Sequence, residues 1–578
     1  MSEVARLAIM DSGLMQADHE HPPVVDSNKP NNRPHVPAPP PLNGVRQGIE
    51  ERLDELDMKE REIFRERLEL KSRWNRSLMV TQLPNEILFL IFVYFSGLLP
   101  STDEDDEDYF KFGLAKIGWT KLMLVCRRWC DVARATPALW RTIDVGRTSL
   151  SWMKLALTRS SGATIDVSFP FDFEEEHASL LQPHYHRLRS FRLQSWSPTA
   201  RRVIRSTLPA LETLEICSNP SHKNTLKGFY TDLRITRERF PNLRTLQLVH
   251  TVVPRDPLFY APLRKLSLKG CPFKSSLEQF VQLLSDCPRL NHLELDGFLQ
   301  QLPDSGSVGP PRFLPSLVSV RLSDHVPIHS ARFLSRIVIP AASLSTTANI
   351  GFDEEERGDT LRAVVPPNLR NSLPGLATLT WGRLIMTYEE YSIECHPTKP
   401  GRGETVLVEL ALTSSAVGWA GRMSDGLTDL LELFGSAPLT HLETLGYCTT
   451  VDVEIWAQLF RTFPSLVSLE ADVDEAVFTG LLEASLASPV DGPVVCRALE
   501  RVSMTDEWGV LKNVEPLLDP LIHCLLYRAD RGTRLKELHL GFHGVARAAV
   551  REKYLPQLEN LVSNIVFGNT FAKHDVGH

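Results

Sequence analysis

Long hydrophobic runs are scarce in this sequence of 578 residues. The most apolar stretch, 87–99, holds 13 residues and includes Ser96 and Gly97, whereas a membrane-spanning helix needs about 20. The N-terminus lacks the charged-then-apolar pattern of a signal peptide. The sequence therefore predicts a soluble protein without a membrane segment, located inside the cell in the cytoplasm or the nucleus.

Cysteines are few and do not form recognisable pairs. There are nine, an odd number, and no two have the C-x-x-C spacing. This argues against a disulfide framework and for reduced thiols in an intracellular compartment. Cys126 and Cys130 lie one helical turn apart and are expected in a helix core, while Cys395 and His396 are expected in a polar loop.

Signatures of catalysis are also missing. The sequence contains no G-x-S-x-G, G-x-x-x-x-G-K-[ST], H-E-x-x-H or G-x-G-x-x-G motif. His184 and His186 have no Cys or carboxylate at zinc-ligand spacing. The net charge is −8, and no stretch concentrates Lys and Arg as a nucleic-acid-binding surface would. We expect no enzyme activity, cofactor, metal or nucleic-acid partner; the alternative is an enzyme hidden within 382–530, which a pocket with perturbed ionisable groups would indicate.

The N-terminal part consists of two segments of contrasting composition. Residues 1–47 are rich in proline and predict a disordered tail. Residues 48–77 are dense in Glu, Arg and Leu and predict a long charged helix. Its heptad seam is apolar at Ile49, Leu53, Leu56, Ile63, Leu70 and Trp74 but is interrupted by Glu60 and Arg67. Two alternatives remain: self-association through 49–76, or an exposed helix supported by i,i+4 charge pairs.

A short apolar helix is predicted after residue 83. Pro84 suits the first helical position because its missing N–H costs nothing there. Apolar residues recur from it with helical spacing, forming one broad stripe: Pro84, Ile87, Leu88, Ile91, Phe92 and Phe95. Six consecutive acidic residues at 103–108 then predict an exposed loop.

A second and a third helix follow this loop. The second is predicted to place Leu122, Val125, Cys126, Trp129 and Ala133 on one face, with Arg127 and Arg128 off that face. Thr136 and Pro137 predict the start of the third helix, which ends in Leu139 and Trp140. Three short helices make a thin core. The first stripe is broader than they can cover, so it either binds a partner or packs on the rest of the chain.

These residues resemble an F-box. The match consists of Leu-Pro-x-Glu-Ile-Leu-x-x-Ile-Phe at 83–92, Val-Cys-Arg-Arg-Trp at 125–129 and Leu-Trp at 139–140, within a domain assigned to 78–145. An insertion at 97–118 departs from the usual pattern. The leading helix and the Thr-Pro-x-Leu-Trp ending also resemble the large F-box families of mushroom-forming fungi.

The resemblance implies a role in ubiquitin transfer. F-box proteins bind a Skp-family adaptor and thereby join a cullin ligase, to which they present a protein substrate. Carried over by position, the residues expected to form or support the adaptor interface are Leu83, Pro84, Ile87, Leu88, Ile91, Val125, Cys126, Trp129 and Trp140.

Beyond residue 180 the pattern Leu-x-x-Leu-x-Leu returns repeatedly. Clear copies, some with Ile or Val replacing Leu, begin at Leu211, Leu243, Leu263, Leu290, Leu317, Leu407 and Leu535, and looser copies begin at Leu188, Leu376, Leu442, Leu466 and Leu499. The first five clear copies are 32, 20, 27 and 27 residues apart, close to the period of about 20–29 of the leucine-rich repeat. Because each strand–helix unit has an apolar face that only a neighbour covers, the units are expected to stack.

The predicted fold is therefore α/β. A three-helix F-box precedes an irregular leucine-rich-repeat solenoid over 146–567, and 568–578 form a flexible tail. Residues 340–372 and 382–406 show little of the repeat and are expected to be loops or degenerate repeats. The alternative is an ordinary α/β fold with leucine-rich strands.

A substrate would be expected on the open face of the strands. The residue between the fourth and sixth repeat positions points to that face, which identifies Glu215, Gln247, Ser267, Glu294 and Arg321. The sequence thus predicts a non-catalytic substrate receptor of a ubiquitin ligase. The alternative is a leucine-rich interaction scaffold without ligase function.

Overall fold

A computed structural model describes residues 43–98, 118–145, 150–170, 173–194, 197–218, 235–254, 256–303, 309–339, 343–349, 360–400, 407–413, 422–446, 451–472, 474–487, 494–506, 515–542 and 550–567. The chain divides into two compact units, Met1–Gln82 and Leu83–His578.

The first unit is dominated by one long helix. Helix α1 spans Asn43–Ser77 and is followed by a 3-10 helix, Met79–Gln82. The helix begins before residue 48, where the sequence predicted its start. Charge pairs one turn apart, such as Arg46 with Glu50 at 3.1 Å and Lys59 with Glu55 at 2.8 Å, support it. Of the predicted disordered tail, 1–47, residues 1–42 lie outside the described residues, and 43–47 belong to α1, so the prediction was wrong for them.

The second unit opens with a helical module. Its elements are α2 (Asn85–Leu98), a 3-10 helix (Gly118–Leu124), α3 (Arg127–Arg134) and a 3-10 helix (Pro137–Trp140). The prediction of one continuous second helix was wrong. Cys126 is extended, with φ −161° and ψ 168°, and separates the first 3-10 helix from α3. The acidic run at 103–108 lies outside the described residues.

Within the described residues, 19 strands follow the start of the module, and 17 of them form one large sheet. The strands are β1 (Thr142–Asp144), β2 (Ile165–Phe169), β3 (Leu188–Leu193), β4 (Thr213–Cys217), β5 (Thr245–Val249), β6 (Lys265–Lys269), β7 (His292–Asp296), β8 (Arg312–Phe313), β9 (Ser319–Asp324), β10 (Ile337–Val338), β11 (Ser343–Asn349), β12 (Trp381–Met386), β13 (Glu390–His396), β14 (Val408–Thr413), β15 (His441–Gly446), β16 (Ser468–Asp472), β17 (Arg501–Thr505), β18 (Glu537–Gly541) and β19 (Asn564–Phe567). Strands β8 and β10 form a separate parallel pair.

The strands of the large sheet pair almost in chain order. The order runs from β1 through β7 to β9, β11, β14, β13, β12 and then from β15 to β19. Strand β13 is antiparallel to both neighbours, and all other pairs are parallel. Short parallel strands with crossover connections are typical of α/β architecture.

Helices occupy many of the connections between strands. They are α4 (Leu150–Arg159), α5 (Glu175–Leu181), α6 (Pro198–Ile204), α7 (Pro257–Tyr260), α8 (Leu277–Ser285), α9 (Pro327–Leu334), α10 (Leu369–Ser372), α11 (Met423–Phe434), α12 (Val453–Thr462), α13 (Ala476–Leu486), α14 (Glu515–Asp530) and α15 (Leu555–Leu558). Further 3-10 helices span Gln182–Arg187, Leu299–Gln301, Leu361–Ala363 and Pro374–Thr378, and a π-helix spans Val550–Tyr554.

The leucines of the repeated pattern form continuous rows across this sheet. Leu214, Leu246, Leu266 and Leu293 are register partners on successive strands and are all buried. Burying one such side chain contributes about 1.5–3 kcal/mol. The face that they line is covered by helices; a Cβ added at Gly426 of α11, for example, would lie 2.7 Å from Met386 of β12.

Two segments predicted as loops or degenerate repeats contain regular strands. Strand β11 lies within 340–372, and the antiparallel hairpin β12–β13 occupies much of 382–406. The prediction missed β11 because Thr346 and Ala348 replace leucine at its buried positions. Cys395 and His396 belong to β13 and are buried, so their placement in a polar loop was wrong.

The helical module and the sheet share one apolar core. Trp140 stacks edge-on against Trp119, with ring centroids 5.0 Å apart, and lies 5.5 Å from the ring of Trp152 in α4. Ile143 of β1 is fully buried in the same cluster. The first strand therefore begins directly beside the module.

Candidate partner-binding site

Helix α2 is apolar on two opposite sides. Leu88 and Phe92 are completely buried in the core of the unit, and Phe95 is partly buried against that core. A helix that is hydrophobic on all sides needs cover on all sides. The broad stripe predicted from the sequence therefore separates into a buried half and an exposed half.

The exposed half is a continuous stripe along α2. It consists of Ile87, Leu90, Ile91 and Tyr94, which are 41%, 58%, 39% and 69% exposed. Their i, i+3, i+4 and i+7 spacing puts them on one face of the helix. We call these four residues the exposed stripe. It is the largest apolar feature that α2 leaves open to a partner.

Hydrogen bonds fix the start of α2. The carbonyl of Pro84 accepts from the backbone N–H of Leu88 at 3.1 Å, so the helix begins just after this proline. Arg128 of α3 donates to the Leu83 carbonyl, and its Nη2 donates to Asn85 Oδ1 at 2.9 Å. Arg128 therefore joins the two helices that carry the F-box resemblance.

The segment around the break before α3 is also partly open. Val125 is half exposed, and Cys126 and Trp129 are partly buried. Trp129 packs on Phe92 with ring centroids 5.1 Å apart. Leu83 is partly buried and Pro84 is exposed. These five residues of the predicted adaptor interface can thus be reached, wholly or in part, from outside.

Two residues of the predicted interface lie in the core instead. Leu88 is completely buried, and Trp140 is 2% exposed and donates from Nε1 to the Ala133 carbonyl at 3.0 Å. They can support the interface but cannot contact a partner in this conformation. Thr136 precedes the last helix as predicted, but its hydroxyl donates to the Val132 carbonyl rather than capping.

Sequence reasoning missed the exposed residues Leu90, Tyr94 and Leu124 of this region, and also Phe89, which is 37% exposed. A signal for the first two was present: they lie three and seven residues beyond Ile87 on a helix with no polar face. Leu124 is the last residue of a 3-10 helix. An α-helical period therefore cannot predict which way its side chain points.

The five predicted substrate contacts form one row across the sheet. Register pairs join Glu215 to Gln247, Gln247 to Ser267, Ser267 to Glu294 and Glu294 to Arg321. Ser267 is completely buried, because its short side chain lies between the longer side chains of Gln247 and Glu294. A direct contact between Ser267 and a partner was therefore a wrong expectation.

Carboxylates in this row are paired with cations. Arg192 contacts Glu215 at 3.1 Å, and Lys269 contacts Glu294 at 2.8 Å. Burial alone would raise the pKa of Glu294, but the hydrogen bond and charge of Lys269 lower that pKa overall. This part of the open face is close to charge balance.

The row continues into a more acidic part of the sheet. Glu409, Glu394, Arg383, Glu443 and Glu470 follow one another as register partners. Arg383 lies 3.7 Å from Glu394 and 3.6 Å from Glu443. Burial, opposed by this arginine, raises the pKa of both carboxyl groups, and Glu470 raises that of Glu443 further.

Within the described residues, no group of three or more His, Cys, Asp or Glu side chains is placed to hold a metal ion. A cleft of about 670 Å³ lies between Val252, Val253 and Pro257 on one side and α8 on the other, lined mainly by apolar atoms, with Lys274 and Asp286 as its charged residues. These two side chains do not form a nucleophile–base pair.

Residues 80–146 match the F-box-like family. The chain therefore contains an F-box-like domain, whose extent agrees closely with the helical module and with the 78–145 assigned from the sequence. No curated protein matches the sequence. None of the helices among the described residues is both long enough and apolar enough to cross a membrane.

Proposed function

We propose that this protein is a non-catalytic substrate-recognition subunit of an SCF-type (Skp–cullin–F-box) ubiquitin ligase. F-box domains generally bind a Skp-family adaptor within such ligases, and residues 80–146 match this domain type. The observation that carries the proposal is the exposed stripe on α2. It provides an apolar surface within the matched domain that the described residues of the chain leave uncovered.

The adaptor would contact the exposed stripe together with Leu83, Pro84, Val125, Cys126 and Trp129. Three large apolar side chains and a tyrosine on one helix face can supply the desolvated centre that stable interfaces need. Leu88 and Trp140 would support this surface from the core, as their burial requires.

The large sheet would form an irregular leucine-rich-repeat array that holds the substrate. Support comes from the in-register leucine rows and from the strand–helix alternation. Cys271 also fits the repeat, because its buried thiol donates to the Leu248 carbonyl on the preceding strand at 3.2 Å. Glu215, Gln247, Glu294 and Arg321 are the open-face residues that we propose as substrate contacts.

Mechanistically the protein would act by proximity. The adaptor surface and the first strand share one core through Trp119, Trp140, Trp152 and Ile143. This continuity fixes the first repeats relative to the adaptor, so a bound substrate is held at a defined distance from the ligase.

The test is binding of the purified full chain to a purified Skp-family adaptor. Ile87→Asp places a charge in the proposed interface and is expected to cost at least about 2 kcal/mol, or about 30-fold in affinity. A substitution of Ile87 tests adaptor binding more specifically than one of Trp129, because Trp129 also packs on Phe92 and its loss would affect the core.

The matched control is Ile328→Asp. Ile328 is 52% exposed near the start of α9, outside the helical module, and its substitution is expected to leave adaptor binding unchanged. If the folded wild-type chain does not bind the adaptor, the ligase role is wrong, and a leucine-rich interaction scaffold becomes the better description.

A further inference from the structure

Within the described residues of its own unit, the heptad seam of α1 has no cover. Every apolar seam residue is about half exposed or more: Ile49, Leu53, Leu56, Ile63, Leu70 and Trp74. Among the described residues of Met1–Gln82, the one other element is a 3-10 helix of four residues. An isolated helix with an apolar seam of this length is normally stabilised by packing against another helix.

The two charged seam residues complement each other. Glu60 and Arg67 occupy consecutive a positions, one heptad apart. Neither forms an ion pair within the described residues, whereas off-seam charges such as Glu55 and Glu69 are paired along the helix. The seam therefore presents one negative and one positive site that are not neutralised by their own helix.

We propose that α1 pairs with α1 of a second copy of this chain in an antiparallel coiled coil. In the register that uses the whole seam, Ile49 faces Trp74 of the second copy, Leu53 faces Leu70, Leu56 faces Arg67 and Glu60 faces Ile63. Glu60 then lies one layer, four residues or about 6 Å along the axis, from Arg67 of the second copy, while the two Glu60 side chains lie in adjacent layers instead of facing each other in one layer. The twofold symmetry creates this ion pair twice.

A parallel, in-register pair is disfavoured by the same two residues. It would place Glu60 against Glu60 and Arg67 against Arg67 in consecutive core layers. Polar residues at a positions commonly specify the register and orientation of coiled coils. Like charges in a partly desolvated seam cost more than charges on the solvent-exposed flanks.

Flanking charges contribute less to the choice of orientation. In the antiparallel register Glu50 approaches Lys71 of the second copy and Lys59 approaches Glu66, which is favourable. Arg52 approaches Arg73, which is unfavourable. The parallel arrangement also has favourable flank pairs, so the core positions determine the orientation.

The test is the mass of the full-length chain in solution, measured by sedimentation equilibrium at tens of micromolar. The wild-type chain is expected to be dimeric. Ile63→Glu, in the seam, is expected to raise the dimer dissociation constant at least tenfold. Met58→Glu is the matched control, because Met58 is equally exposed (63% against 65%) but lies at an f position away from the seam.

Charge exchange tests the orientation. Glu60→Arg and Arg67→Glu are each expected to weaken an antiparallel dimer, because each puts like charges together, and the double variant is expected to restore it. In a parallel dimer each single exchange replaces one like-charged pair with another and leaves the affinity nearly unchanged. Helix content by circular dichroism confirms that α1 remains folded in every variant.

Three outcomes would overturn the proposal. One is a wild-type chain that stays monomeric, as it would if residues 1–42 covered the seam. Another is a dimer that survives Ile63→Glu but is lost in Ile87→Asp, which would assign association to the exposed stripe of α2. The third is tolerance of both single charge exchanges. Failure of adaptor binding leaves this inference untouched.

Discussion

Arg128 organises the helical module through contacts with residues about 45 positions earlier in the chain. Its guanidinium group donates to the Leu83 carbonyl and to the Asn85 side chain, at the start of α2. A guanidinium group holds its five N–H donors in a rigid planar fork, which suits several fixed contacts better than the flexible ammonium of a lysine. The exposed stripe therefore depends on an arginine that is not part of it.

Substituting Arg128 by alanine should loosen the start of α2. Each lost hydrogen bond contributes about 0.5–1.5 kcal/mol, and water replaces part of it because the site is not fully buried. We expect a net loss of about 1 kcal/mol, seen as roughly fivefold faster hydrogen exchange of the 87–92 amides. Arg127→Ala, at an exposed position, is the control and should leave exchange unchanged.

Side-chain roles of this kind are difficult to derive from a sequence. The helical period correctly assigns the apolar residues of α2 to faces of the helix. It does not predict which of these faces is buried against the rest of the chain. Leu88 and Ile87 are adjacent and equally apolar, yet one is buried and the other exposed. Tertiary packing makes that choice, and Arg128 adds contacts that no local pattern contains.

At the scale of elements, the ends of the strands follow a shared geometry. Strands β5, β6 and β7 are each followed by a residue in the left-handed region: His250 (φ 50°), Gly270 (φ 54°) and Gly297 (φ 53°). Each of these residues donates its N–H to the next strand of the sheet. The same turn therefore follows each of these three strands, and its N–H extends the hydrogen bonding to the neighbouring strand by one residue.

Gly270→Ala is predicted to destabilise the array more than Gly532→Ala. Both glycines have positive φ, which costs a non-glycine residue about 1–2 kcal/mol. At Gly270 a Cβ would also lie 2.5 Å from the His250 ring, whereas nothing lies within 4 Å of a Cβ at Gly532. We expect a total loss of about 2–3 kcal/mol for Gly270→Ala, measured by urea unfolding.

Gly532→Ala introduces only the backbone strain of a positive φ, without a steric contact, and should cost about 1 kcal/mol. Equal losses for the two variants would mean that the His250 ring moves aside freely. A smaller loss for Gly270→Ala than for Gly532→Ala would contradict the proposed close contact.

Strands that follow a copy of the leucine pattern were predictable from sequence, whereas β11 and the β12–β13 hairpin, which depart from that pattern, were missed. Copies starting at Leu211, Leu243, Leu263 and Leu290 all lead into strands at the expected positions. Strand β11 uses Thr346 and Ala348 in place of leucine. The hairpin β12–β13 runs antiparallel within a parallel array, so no fixed repeat period describes it.

At the scale of the whole molecule, charge is distributed unevenly over the open face of the sheet. Near β4 to β7, Glu215 forms an ion pair with Arg192, and Glu294 forms one with Lys269. Near the hairpin, Glu394 and Glu443 share Arg383. Such differences arise from the register of strands that are distant in sequence, so they could not be derived before the sheet was known.

This distribution predicts opposite pH effects for two glutamates. Burial raises the pKa of Glu443 above its ordinary value of 4.5. The folded chain then binds more protons than the unfolded chain between these two pKa values, so stability falls as the pH rises through this window and the loss is complete above the raised pKa. Glu443→Gln should therefore raise the urea midpoint at pH 7, and this gain should disappear below pH 4.5.

Glu294→Gln is the matched substitution with the opposite sign. The pKa of Glu294 is raised by burial but lowered overall by Lys269, so its carboxylate stabilises the fold above pH 4.5 and that contribution is lost as the pH falls through the lowered pKa. The variant should lower the urea midpoint at pH 7 and approach the wild-type value in acid. If both variants changed stability in the same direction at pH 7, the explanation would be wrong that Arg383, shared by Glu394 and Glu443, compensates too little for the burial of Glu443. Because the two residues lie in one row of one sheet, opposite results would show that the partner of each carboxylate, rather than its place in the repeat, sets its effect.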